Sequence, residues 1–208
     1  MRVSERDIER RAVIEAYAKY DCLKKGHSTP EFATWDWSQA DAIDREMQRA
    51  KLKTGVPAGY LLWDKVEVTI LDLRECAVDG QIFPGQPRKL GLVGGLVDWE
   101  PKLFQYLAKA GRPVPLWYDK IKKGDILDET DPLMIRPALS SEPLASWYIE
   151  DGSGRAITFV ANQNLFNPSQ PSAIGYLGRQ PDLRSSFMQR APFRELLQQI
   201  NRGRRDIV

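Results

Sequence analysis

The chain has little cysteine and less histidine. Among 208 residues there are two cysteines, Cys22 and Cys76, and one histidine, His27. Two distant thiols with no Cys-x-x-Cys pair argue against a disulfide framework and against a structural zinc site. One imidazole excludes a metal centre built on several histidines. A Ser-His-Asp triad would have to use His27, which sits in a loop of Gly, Ser, Thr and Pro. Any metal is therefore expected to be a hard cation on oxygen ligands. Long apolar runs are missing too, since the stretch 90–97 is interrupted by Gly91, Gly94 and Gly95 and is far too short for a bilayer. The first seven residues are charged and lack an apolar signal core, so a cytoplasmic protein is expected. An excess of one charge is absent as well. With 30 basic and 28 acidic residues the net charge is +2, so the distribution of charge, not its total, bears on anionic partners.

What is present suits a folded globular chain. Hydrophobic residues make up 42% and charged residues 28%, and the length allows one core of ordinary size, or one core with an extra arm. Ser4 to Asp7 reads as a capping box opening a helix from Ile8 to about Lys25, closed by Gly26. A second cap at Ser38 to Asp41 opens a helix to about Leu52. Residues 1–62 are thus expected to form a helical N-terminal arm packed on the core, and residues 63–208 the main domain. Trp63 to Leu73 alternates around Val66, Val68 and Ile70 and predicts a strand. The glycine- and proline-rich stretch 80–95 reads as an irregular connection. Gly94-Gly95 is not followed by Lys-Ser or Lys-Thr, so it is no P-loop. Asp98 is expected to cap a further helix ending at Gly111. The segment 117–123 reads as amphipathic and basic, and Asp125, Asp128, Glu129 and Asp131 as an acidic loop. Leu133 to Ile135 predicts a short buried strand running into Arg136-Pro137. Residues 174–179 read as a short helix or turn, and 182–203 as one or two helices broken at Pro192.

The stretch that carries chemistry is Glu150-Asp151-Gly152-Ser153-Gly154-Arg155. An aromatic, β-branched strand (145–149) precedes it and an apolar segment (156–162) follows. A strand that breaks on glycines into a helix aims its first N–H groups at whatever lies above the turn, which suits phosphate. Arg155 adds a planar fork for phosphate oxygens, and Arg136 is expected at the same sheet edge. Glu150 and Asp151 offer oxygens for magnesium or a base for water. Asp-Gly and Ser-Gly are also ordinary turn dipeptides, and the structural reading stands beside the functional one. Adjacent strand residues face opposite sides, so one of the two acids is expected in the pocket. Between residues 179 and 205, seven arginines face two acids, a local balance of +5. That stripe is either a nucleic-acid surface or a solvated helix face.

The order strand, basic helix, short strand ending in Arg-Pro, strand, Gly-x-x-Arg, helix resembles the ParB/sulfiredoxin superfamily over roughly residues 63–162. The Gly-x-x-Arg turn, here Gly152-Ser153-Gly154-Arg155, binds nucleotide phosphates in that family. Partition proteins carry Glu and Arg at the two middle positions, and sulfiredoxins carry Cys and His, where this chain has Ser153 and Gly154. Sulfinic acid reduction through a thiol is therefore not expected here. The chain looks most like the plasmid fertility-inhibition proteins of the Osa/FiwA type. The resemblance implies an α/β (α+β) fold with a small mixed sheet flanked by helices. It further implies a bacterial cytoplasmic, plasmid-encoded ATPase and DNase that blocks transfer of DNA through a conjugative type IV secretion system. In that reading ATP is the substrate, with Mg2+ or another hard divalent cation. Glu150, Asp151 and Arg155 are catalytic, and Glu150 and Asp151 hold the metal. Gly152, Ser153, Gly154, Arg155 and Arg136 bind nucleotide. Arg184, Arg190, Arg194, Arg202, Arg204 and Arg205 bind DNA, and a coupling or relaxosome protein is a further partner. The competing expectations are a non-catalytic DNA- or protein-binding inhibitor and a small-molecule phosphotransferase.

Overall fold

Side chains from Tyr60–Thr69 divide between two environments. Val66 and Val68 enter one hydrophobic cluster, while Tyr60 and Trp63 enter another. This two-faced burial marks a strand with helices on both sides. The computed structural model describes residues 1–78, 91–99, 132–139, 144–165 and 172–189. Their elements are β1 (Arg2–Glu9), α1 (Arg10–Lys25), α2 (Ala40–Arg49), β2 (Tyr60–Thr69), α3 (Ile70–Arg74), β3 (Ala77–Val78) and β4 (Gly91–Leu92). They continue with α4 (Val93–Trp99), β5 (Leu133–Pro137), β6 (Trp147–Asp151), α5 (Ser153–Leu165) and β7 (Ser172–Pro181).

The seven strands form one mixed sheet in the order β1-β2-β7-β5-β6-β3-β4. β5 runs parallel to β7 and β3 parallel to β6; the other pairs are antiparallel. On one face α3, α4 and α5 close a cluster that includes Leu73, Val97, Leu133, Ile149, Phe159 and Leu177. On the other, α1 and α2 cover Tyr60, Trp63, Met134 and Tyr176 through Ile14, Tyr17, Ile43 and Met47. The N-terminal helices therefore share a core with the sheet, and residue 62 falls inside β2. Among the described residues no helix is long and apolar enough to cross a membrane.

Several boundaries differ from the sequence reading. Ser4 to Asp7 does not cap a helix: the segment pairs with β2 as a charged edge strand, and α1 begins at Arg10. Charges on an edge discourage pairing with another chain, which explains a strand that looks like a helix start. α2 stops at Arg49, before Leu52. β2 ends at Thr69, where Asp72 N–H donates to the Thr69 hydroxyl (3.2 Å) and Thr69 N–H donates to the Asp72 carboxylate (2.9 Å). This reciprocal cap turns Ile70 to Leu73 into helix. Asp98 lies inside α4 and pairs with Arg74, so it does not open that helix. Residues 182–189 form turns, not helix. They are anchored by Phe187, whose ring packs on Gly55 and Gly59. The expectations for 79–90, 100–131 and 190–208 lie outside the described residues.

The largest correction is β7. Residues 174–179 are neither helix nor turn but part of a strand between β2 and β5. Its glycines serve close packing: a Cβ on Gly178 would lie 2.6 Å from the Tyr60 ring. Gly178→Ala is expected to lower unfolding stability by about 1–3 kcal/mol through overpacking. Urea denaturation measures this, and an unchanged midpoint would contradict the packing described.

Candidate functional site

β6 ends at Asp151, Gly152 makes the turn at φ 95, and α5 begins at Ser153. A Cβ at Gly152 would meet a Leu133 methyl at 2.6 Å and the Arg155 guanidinium at 2.9 Å. Both the positive φ and the crowding thus require glycine. The first helical bond closes from Ala156 N–H to Gly152 O at 2.9 Å. Ser153 donates its hydroxyl to Ile149 O at 3.4 Å, so it ties the helix start to the strand.

Arg155, one residue into the first turn beyond Gly154, folds back over the bend. It is only 3% exposed. Its Nη2 donates to Asp151 Oδ2 at 3.0 Å, and its carbon Cζ lies 4.4 Å from the centre of the Tyr20 ring on α1. Its Nη1 is buried and has no acceptor among the described residues. Lys53, in the segment after α2, donates its ammonium to the other oxygen of Asp151. Lys24 lies 5.9 Å from the Tyr20 ring centre. Asp21, on the same helix, is already occupied: it accepts from Lys25 Nζ at 2.5 Å and from Lys53 N–H at 3.0 Å.

The charges act on one another through this partly dry setting. Burial alone would raise the Asp151 carboxyl, but Arg155, Lys53 and Lys24 outweigh it and hold the group below the usual carboxylate range. Burial, with Asp151 and Asp21 nearby, pushes the Tyr17 phenol well above its ordinary value, so it stays a neutral hydroxyl. Burial also draws the Lys24 ammonium down, opposed by Asp151 and reinforced by Arg155. Three cations surround one carboxylate.

The two acids of the turn have different partners. Glu150 accepts from Arg136 Nε. Arg136, 2% exposed, also donates Nη1 to Pro137 O at 2.9 Å and lies 4.0 Å over the Tyr148 ring. The sequence reading placed Arg136 and Arg155 at one sheet edge, and adjacent acids do bind them, each to its own carboxylate. Glu150 and Asp151 do not fit a shared magnesium ion, because each already accepts from a cation and the Asp151 side is ringed by positive charge. Gly154 lies in the first turn of α5. Arg184 is well exposed and 3.7 Å from Asp182. Arg190, Arg194, Arg202, Arg204 and Arg205 lie outside the described residues.

Sequence reasoning missed Tyr17, Tyr20, Asp21, Lys24 and Lys53. A signal existed in α1: Tyr17, Tyr20, Asp21 and Lys24 follow the i, i+3, i+4, i+7 spacing of one helix face. A face that mixes two phenols with two opposite charges is unusual for plain core packing.

A carboxyl depressed by folding contributes stability in full above its unfolded value of about 3.9, and that stability is lost as pH falls through the lower folded value. Asp151→Asn is therefore expected to be less stable than wild type at pH 7, with the gap closing below about pH 4. Urea unfolding at both pH values checks this; a gap independent of pH would contradict the arrangement. No family model, curated protein or solved structure matches the chain.

Proposed function

We propose that the Gly152 turn binds the phosphates of ATP and that the chain hydrolyses it there. The observation that carries this reading is Arg155 Nη1, a buried guanidinium nitrogen without an acceptor among the described residues, at the head of a 13-residue helix. Leaving such a donor unsatisfied is costly, and a phosphate oxygen is a suitable acceptor for it. The surplus of Arg155, Lys53 and Lys24 over Asp151 favours an anion in the same place.

In this reading the N–H groups of the first α5 turn and the guanidinium receive phosphate oxygens. Arg155 stabilises charge that develops on the transferred phosphoryl group, and Lys53 neutralises the rest. Asp151 stays ionised, so it is a poor proton acceptor and serves by orienting water and Arg155. Glu150 acts through Arg136, holding β5 against β6. Magnesium belongs to the triphosphate, and no step is assigned to an ion held by Glu150 and Asp151 together.

The resemblance to the ParB/sulfiredoxin superfamily extends the proposal. It supports a nuclease that restrains conjugative DNA transfer, with Arg184 and the arginines beyond residue 189 on the DNA and a transfer protein as partner. A second reading, binding without turnover, is favoured by one observation: both Asp151 oxygens already accept from cations.

Arg155→Lys keeps the charge and removes the fork. It is expected to cut ATP turnover by roughly a hundredfold, the cost of about 2.7 kcal/mol of transition-state contact, while the circular dichroism spectrum stays that of wild type. Turnover equal to wild type in that variant would remove the catalytic role. Calorimetric binding of ATP without turnover in wild type would select the second reading.

A further inference from the structure

A cleft of about 420 Å3 opens along α1, lined by Ala12, Glu15, Ala16, Lys19, Tyr20, Leu23 and Tyr176. Its size lies within the range of small-molecule sites. One wall is the outer face of α1, where Ala12, Ala16 and Leu23 present apolar surface. The other is Tyr176 on β7. Tyr20 belongs to both places, since it lines the cleft and lies under the Arg155 guanidinium. Sheet register gives the spacing. Tyr176 pairs with Met134 and Met134 pairs with Asp151. Two strand spacings separate Tyr176 from Asp151, about 10 Å across the sheet. That is a separation an extended nucleotide can bridge.

We infer that this cleft holds the base and sugar of the nucleotide whose phosphates sit on Arg155. The inference rests on the phosphate reading above and adds the part of the ligand that reading leaves unplaced. Ala12, Ala16 and Leu23, with the largely buried rings of Tyr20 and Tyr176, give the cleft an apolar wall for an aromatic base. Lys19 at the rim and Lys24, five residues further along α1, carry positive charge from the cleft toward the turn, matching a ligand that is aromatic at one end and anionic at the other. Glu15, paired with Arg11 at 2.7 Å, closes the rim with a hydrogen-bond acceptor.

Calorimetric titration of the full chain with ATP and with inorganic tripolyphosphate, both in chelator, tests the inference. Wild type is expected to bind ATP about tenfold more tightly than tripolyphosphate, the worth of one stacked base. Ala16→Leu fills the slot, and ATP is then expected to fall to the affinity of tripolyphosphate. Ala12→Phe, at an exposed position on the same wall, gives the same result without touching the core. Equal affinity for the two ligands in wild type overturns the base site and leaves the phosphate reading standing. A preference for ATP that survives both substitutions also overturns it. Binding of neither ligand overturns the phosphate reading, and this inference falls with it.

Discussion

A guanidinium buried at the head of α5 sets the terms for everything around it. Arg155 is 3% exposed, and an isolated charge at that depth is unfavourable by many kcal/mol unless its neighbours answer it. Asp151 supplies the counter-charge at 3.0 Å and the Tyr20 ring supplies a face at 4.4 Å. Gly152 turns at φ 95, and a Cβ there would meet a Leu133 methyl at 2.6 Å and the guanidinium at 2.9 Å. Lys53 reaches Asp151 from the far side, so the segment after α2 is tied to the same point. The turn, α1 and the 53 region are thereby joined through one side chain. Its Nη1 has no acceptor among the described residues.

The second buried arginine shows what full satisfaction looks like. Arg136 has Glu150, the Pro137 carbonyl and the Tyr148 ring. On β5, it ties that strand to β6 through Glu150. Arg136 on β5 and Arg155 on α5 are about equally buried, and each pairs with one of two adjacent acids. Arg155 keeps a donor without an acceptor among the described residues, beside a helix N-terminus and a ring of cations.

The local part of the site was legible in the sequence. The strand before residue 152, the glycine bend and the helix after it follow from aromatic and β-branched residues, then Gly, then an apolar run. Glu150 and Asp151 take different arginines, but the β5–β6 register skips Glu150, so plain strand alternation does not account for the split. What came from far along the chain was not legible. Lys53 lies 98 residues from Asp151, and only the packing of α1 and α2 on the sheet brings it there. β7 was hidden for a different reason: Gly175 and Gly178 look like turn residues, yet they make room for Leu133 and Tyr60 in the middle of the sheet. β1 was hidden by its charges, which suit an edge strand as well as a helix start. Short-range chemistry sets the bend; long-range burial selects which side chains surround it.

The most direct measurement is a crystal structure of the chain with a non-hydrolysable ATP analogue. The account expects a phosphate oxygen within hydrogen-bond distance of Arg155 Nη1 and of an N–H in the first turn of α5. An analogue bound elsewhere, with Arg155 Nη1 still lacking an acceptor, would contradict it.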